Sequence, residues 1–191
     1  MALKKQWFEI VAPKIFDEKV VGETPAVEPK HLLGRKIVFS MLDLARDYTN
    51  FYVKVEFQID HVDGNRAYTK FVGHDVMRER IYRMIQRRIR RVDCVQDVTT
   101  KDNVKVRIKT VFTLIRRVNT AIKGATRAKC KEIIERIASE TNFEDLAKMM
   151  ISGKLSALVR KEITKVYPVS GLEIRKSEVL HEKKKVETAA L

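Results

Sequence analysis

The chain has 191 residues but only seven glycines, and the closest two, Gly64 and Gly73, stand nine positions apart. Loops of the GxGxxG or GxxxxGK[ST] kind need glycines within about six positions, so P-loop hydrolysis and Rossmann-type cofactor binding are excluded. Cysteine is scarcer still. Cys94 and Cys130 lie far from any CxxC pattern and read as isolated, buried thiols of a protein in a reducing cytoplasm. No apolar run approaches the roughly 18 residues of a spanning helix. The opening MALKKQWFEIVAPK places Glu9 inside its only apolar stretch, unlike a secretory signal. His31, His61, His74 and His181 are dispersed. No catalytic residue, metal site or cofactor is expected.

Two small constellations bear on that expectation. His74-Asp75 could be a base and its orienter, but reads more simply as the residues before and at a helix cap. Asp60, Asp63 and Asp75 could line a divalent-metal nuclease site. Carboxylates around a hairpin turn are more commonly turn residues, and no second acidic cluster completes the site.

Acids are the other deficit: 25 Asp and Glu face 39 Lys and Arg, for a net charge of +14. The excess is local. Between Arg78 and Lys131 stand 17 Lys or Arg and four acids, Glu79, Asp93, Asp97 and Asp102. A surface charged only for solubility spreads its charge, whereas a binding face concentrates it, and the partner of such a face is a polyanion. A membrane surface would require a lipid anchor or a basic amphipathic helix with bulky apolar anchors, so no membrane is expected.

Periodicity predicts an α+β fold: an antiparallel, barrel-like β-rich body with one Arg-striped helix, followed by a smaller helical part. Residues 1–34, with Pro13, Pro25 and Pro29, read as an extended arm with at most a short strand. The β-rich body, expected to carry the polyanion-binding face, covers 35–124. Within it, Arg35–Met41 is a strand and Leu42–Asp47 a helical turn. Phe51, Val53, Val55, Phe57 and Ile59 alternate with polar residues as a half-buried strand. Asp63-Gly64 turns the chain into a partner strand, Arg66–Val72. Asp75 is expected to cap a helix over Val76–Arg91, with Met77, Ile81, Met84, Ile85 and Ile89 on its core side. Val92–Thr100 and Val104–Ile115 form a second hairpin. Residues 125–180 are helical with a last strand. The helices are Thr126–Thr141, one opened by a Thr141-x-x-Glu144 capping box, and Leu155–Tyr167 with Leu155, Leu158, Val159, Ile163 and Val166 inward. Residues 181–191 read as a flexible tail.

The expected binding residues follow from this scheme. Arg80, Arg83, Arg87, Arg90 and Arg91 line the outer side of the helix. Arg88 lies within its apolar arc and must snorkel outward or reach a buried acceptor. Lys105, Arg107 and Lys109 share one strand face about 6.5–7 Å apart, a tolerable match to phosphate spacing. Arg116, Arg117, Lys123 and Arg127 follow, and Lys4 and Lys5 stand at the start. Few of these cations have an acid at i,i+4, and Arg grips phosphates bidentately. With no recognition-helix pair, zinc finger, basic zipper or aromatic-rich strand, broad phosphate contact fits better than sequence readout. Trp7 is expected to dock on the β-body rather than stack on a base.

Several segments together carry a resemblance. Lys4-Lys5-Gln6-Trp7-Phe8 with Ala12-Pro13 and Phe16, Gly34-Arg35 followed by Asp43-Leu44, Phe71-x-Gly73-x-Asp75, and Val166-Tyr167-Pro168 with Ile174-Arg175-Lys176 occur in this order. They resemble the small-subunit ribosomal protein family called S-three-a, or eukaryotic-type S-one. The chain is similar to its shorter archaeal form, without the long basic N-terminal extension and C-terminal tail of the eukaryotic one. The resemblance implies a non-enzymatic constituent of the ribosome in the cytoplasm. It implies a place on the platform near the messenger RNA exit and contact with the 3′ region of small-subunit ribosomal RNA. Its partners would include neighbouring small-subunit proteins and messenger RNA at the exit. A non-ribosomal nucleic-acid-binding protein is the alternative.

Overall fold

The computed structural model describes residues 5–45 and 48–180, so Lys4, His181 and the tail expected at 181–191 lie outside the described residues. The alternating stretch becomes β4 (Val53–Asp63), with Val53, Val55, Phe57 and Ile59 buried. Gly64, at a φ of 55°, turns the chain into β5 (Arg66–Val76), which pairs antiparallel with β4. β3 (Lys36–Ser40) pairs along the other side of β4 and leads into the single turn α1 (Met41–Ala45).

Within the stretch expected as an extended arm, two strands join the sheet. β1 (Gln6–Val11) and β2 (Val20–Ala26) form an antiparallel pair, and β1 runs parallel to the start of β5. The prolines accommodate this. Pro25 lies in β2, an edge strand, where a missing N–H need not cost a ladder bond. Phe8, Ala26, Leu32, Ile59 and Ala67 close a small core beneath this corner.

β6 (Arg90–Thr99), β7 (Lys105–Leu114) and β8 (Val169–Val179) complete an eight-stranded sheet in the order β2-β1-β5-β8-β7-β6, with β4 and β3 branching from β5. β2, β3 and β6 each have one partner, so the sheet is open rather than barrel-like.

The expected Arg-striped helix is much shorter. α2 runs only Arg78–Met84, and Ile85 is already extended. Arg90 and Arg91 belong to β6, whose ladder with β7 from Arg90–Leu114 to Thr99–Lys105 outweighs a helical preference weakened by β-branched Ile85 and Ile89. Asp75 is not the cap. It lies in β5, and the cap position is Met77, with no side-chain hydrogen bond.

α3 (Thr120–Glu140), α4 (Phe143–Ile151) and α5 (Lys154–Thr164) cover one face, α3 on β6 and α5 on β8. Ile133, Ile134, Leu146, Leu155 and Ile163 share one core with Phe57, Ile108 and Phe112 of the sheet. The inward row of α5 is Leu155, Val159 and Ile163, at i, i+4 and i+8; Leu158 and Val166, also expected inward, are exposed. The capping box does not form. Asn142 occupies the α4 cap position, Thr141 donates its hydroxyl to the Ile137 carbonyl, and the Phe143 N–H donates to Asp102 Oδ2 at 3.0 Å. The cysteines meet where α3 crosses β6. Cys94 and Cys130 are both buried, and the thiol–thiol hydrogen bond together with burial pushes the Cys130 thiol well up from its ordinary range.

Candidate nucleic-acid interface

Alternation divides the β6–β7–β8 sheet into two faces. Val92, Cys94, Val98, Ile108, Phe112, Leu172 and Ile174 are buried. The register aligns the opposite face in rows: Arg91, Thr113 and Gly171; Asp93, Val111 and Glu173; Val95, Lys109 and Lys176; Asp97, Arg107 and Glu178. α2 lies over one end of this face. A Cβ on Gly171 would lie 2.7 Å from the Met84 sulfur, so any larger residue there must push that side chain of α2 away from β8. Arg80 clamps the contact. Its Nε and Nη2 donate to Glu173 Oε1 at 3.1 and 3.0 Å, and its guanidinium carbon sits 4.7 Å from the centre of the Tyr52 ring.

Several of the expected binding cations are therefore already engaged by acids, Arg107 and Lys109 across strands and Arg91 within its own. Arg107 donates to both oxygens of Asp97 at 2.7 and 2.8 Å, which holds that carboxyl below its ordinary range. Arg91 donates to Asp93 Oδ1 at 2.9 and 2.7 Å. Glu178 lies between Lys176 at 2.6 Å and Lys109 at 3.1 Å. The hydrogen bond from Lys176 is the larger cause holding its carboxyl down, and Lys109 adds to it. Arg127 donates to the backbone carbonyl of Asp93 at 3.0 Å. The three cations of β7 share one face, but Arg107 and Lys109 are parts of an ion-pair network as much as free phosphate ligands. Such exposed pairs contribute little stability and can exchange partners.

A second group differs. Arg83, Arg87, Arg88, Arg90, Arg116 and Arg117 have no ion pair among the described residues. Because Arg90 opposes Leu114, the Arg87-Arg88 turn and Arg116-Arg117 leave the same end of the β6–β7 hairpin. Arg88 holds a φ of 67° and is exposed, so it is neither buried nor snorkelling along a helix. A non-glycine residue in the left-handed region stores strain that a binding turn can use. Lys123 and Arg127 lie on α3, and Lys5 precedes β1 on the far side of the sheet order from β6. Trp7 is 59% exposed on β1, opposite Pro25, rather than docked.

Two arginines outside the expected set join the site. Lys109 opposes Lys176 and Thr110 opposes Ile174, which leaves Arg175 as the extra residue of a β-bulge in β8. Buried His74 pins both flanks. Its Nε2 faces the Ile174 carbonyl at 3.1 Å and therefore carries the proton; its Nδ1 accepts from Ser177 Oγ at 2.6 Å. Arg175 and Arg78 line a small cavity between α2 and the sheet, with Arg91, Ile81 and Tyr82. Nothing local in sequence marks Arg175, since the bulge depends on pairing between β7 and β8. No group of three or more His, Cys, Asp or Glu fit to hold a metal occurs among the described residues, where Asp60 instead accepts from Lys70 at 2.8 Å.

Comparison with known proteins assigns the family. The model of the ribosomal S3Ae family matches residues 2–183. The chain is 37% identical to small ribosomal subunit protein eS1 of Methanothermobacter thermautotrophicus, over 94% of this chain and 92% of that one. It is 36% identical to eS1 of Sulfurisphaera tokodaii, over 92% and 91%, and 37% identical to eS1 of Archaeoglobus fulgidus, over 96% and 88%. These relatives are structural proteins of the ribosome rather than enzymes. With a family model matching residues 2–183 and relatives 36–37% identical over most of both chains, the chain belongs to the ribosomal S3Ae family of small-subunit proteins.

Proposed function

We propose that this protein is a structural constituent of the small ribosomal subunit that binds ribosomal RNA by phosphate contact and so supports translation. Its place is the platform near the messenger RNA exit, against the 3′ region of the RNA and beside neighbouring small-subunit proteins. The observation that carries the binding surface is the gathering of Arg87, Arg88, Arg90, Arg116 and Arg117 at one end of the hairpin, with no ion pair among the described residues; Arg83, on α2, has none either. Like charges held together without counterions favour a polyanion, and guanidinium forks match phosphate oxygens. The paired cations on the β7 face, Lys109 and Arg107, extend this surface by exchanging carboxylates for phosphates. Lys123 and Arg127 on α3 and Lys105 at the other end of β7 would widen this surface, whereas Lys5 stands across the sheet from it and Lys4 lies outside the described residues.

Crosslinking of intact small subunits tests both parts of the reading. RNA crosslinks are expected on peptides spanning 78–91 and 105–117, to the 3′ region of the RNA. Crosslinks confined to α4 and α5 would overturn the surface. Recovery of the protein away from small subunits on sedimentation would favour a non-ribosomal nucleic-acid binder.

A further inference from the structure

We infer that Arg78, Arg91 and Arg175 form a seat for one phosphate group of the RNA backbone, with Tyr82 at its rim against the adjoining sugar or base. The inference rests on the RNA-binding reading and assigns it a discrete subsite away from the hairpin end.

Three elements build the seat. Arg78 comes from α2, Arg91 from β6 and Arg175 from β8, and together with Ile81 and Tyr82 they line a cavity of about 140 Å³. That volume admits a phosphate group but not a large ligand. The charge is unbalanced: Arg78 and Arg175 have no ion pair among the described residues, and Asp93 is the one carboxylate engaged, through Arg91 Nε and Nη2. Arg91 Nη1 is left over for another acceptor. Bringing three guanidiniums to one cavity is unfavourable until an anion enters, and their planar donors suit the oxygens of a phosphate.

The bulge is the second, independent observation. A regular β8 would keep strict alternation through Arg175; the extra residue breaks it and re-aims the side chain. That irregularity is held by buried groups. His74 bonds Ile174 on one side and Ser177 on the other, and Gly73 allows the approach, since a Cβ there would lie 2.2 Å from the Ser177 carbonyl oxygen. Ile81 closes the floor as a buried side chain, while Tyr82 is 65% exposed at the mouth. An exposed aromatic beside a cationic cavity favours a nucleotide unit over a bare anion, because it supplies a stacking surface.

The test uses the full-length protein, a fragment of the 3′ region of small-subunit ribosomal RNA, and the variants Arg78→Ala, Arg175→Ala and their double. Each single variant is expected to weaken binding on the order of ten-fold, as for loss of a charge-assisted phosphate contact. Two residues gripping one phosphate do not act independently, so the double variant should lose little more than either single. Arg175→Gln, with its thermal midpoint checked, guards against an effect of misfolding, and Lys161→Ala on α5 should leave binding unchanged. Inorganic phosphate should compete no better than sodium chloride of equal ionic strength. Additive losses would show scattered charges rather than a seat and overturn the proposal. Specific competition by inorganic phosphate without any effect of the variants on RNA would make it a free-anion site, which also overturns it. If Arg116→Ala and Arg117→Ala weaken binding while Arg78 and Arg175 variants do not, the seat is refuted and the wider RNA surface stands. If none of these variants matters, both fall.

Discussion

Acidification should destabilise this protein through one buried imidazole. His74, on β5, is buried against β8, and burial lowers its pKa from 6.5 to about 4, while the Ile174 carbonyl and the Asp75 charge act more weakly in the other direction. In the unfolded chain the ring takes up a proton near its ordinary value, whereas the folded protein resists. The stabilisation from keeping it neutral is therefore full above about pH 6.5 and is lost as pH falls towards 4. A displacement from 6.5 to about 4 corresponds to roughly 3 kcal/mol. Lost from the roughly 5–15 kcal/mol typical of a domain, that is a large change. Urea unfolding followed by circular dichroism at about pH 7, 6, 5 and 4.5 measures it, with His74→Gln as the reference. The wild type should lose about 2–3 kcal/mol more than the variant across that range. Asp60, Asp97, Glu162 and Glu178 have lowered pKa values and lose their contributions as pH falls through those values, but they do so in both proteins and cancel. Parallel curves for the two proteins would refute the argument.

Two further outcomes test the packing directly. Gly171→Val places atoms against Met84 and should displace α2, lowering stability by about 1–3 kcal/mol in thermal unfolding. An unchanged midpoint would show that Met84 yields freely. Trp7→Ala should alter stability by no more than about 0.5–1 kcal/mol, because the side chain is 59% exposed; a larger loss in urea unfolding would mean that it packs on the sheet after all.

The parts of the fold legible in sequence are those whose pattern is local. β4 shows clean alternation, the β6–β7 hairpin is bracketed by a polar Lys101-Asp102-Asn103 turn, and Ser152-Gly153 breaks the helices where expected. Elements determined by distant partners are not legible. The arginine and isoleucine spacing that suggests a helix to Arg91 is equally compatible with a strand once β7 offers its ladder, so α2 ends at Met84. Prolines that suggest an arm are tolerated beside an edge strand. The interface suffers most. Cations that look unpaired at helical spacing find acids through tertiary structure, Arg107 with Asp97 ten residues away across the β6–β7 ladder and Arg80 of α2 with Glu173 of β8, ninety-three residues away. The bulge that isolates Arg175 exists only in the pairing of β7 with β8. What survives is the location of the charge, and the structure divides it into a paired face and an unpaired end.

The affinity for a ribosomal RNA fragment as a function of salt, compared between the wild type and a variant with Arg87, Arg88, Arg116 and Arg117 changed to Ala, tests that division most directly. Each phosphate contact contributes about 0.7–0.9 to the slope of log affinity against log salt. The wild type should weaken steeply between about 50 and 200 mM salt, and the variant should bind more weakly with a slope shallower by roughly 3. Equal slopes, or a flat wild-type curve, would contradict binding through the hairpin end.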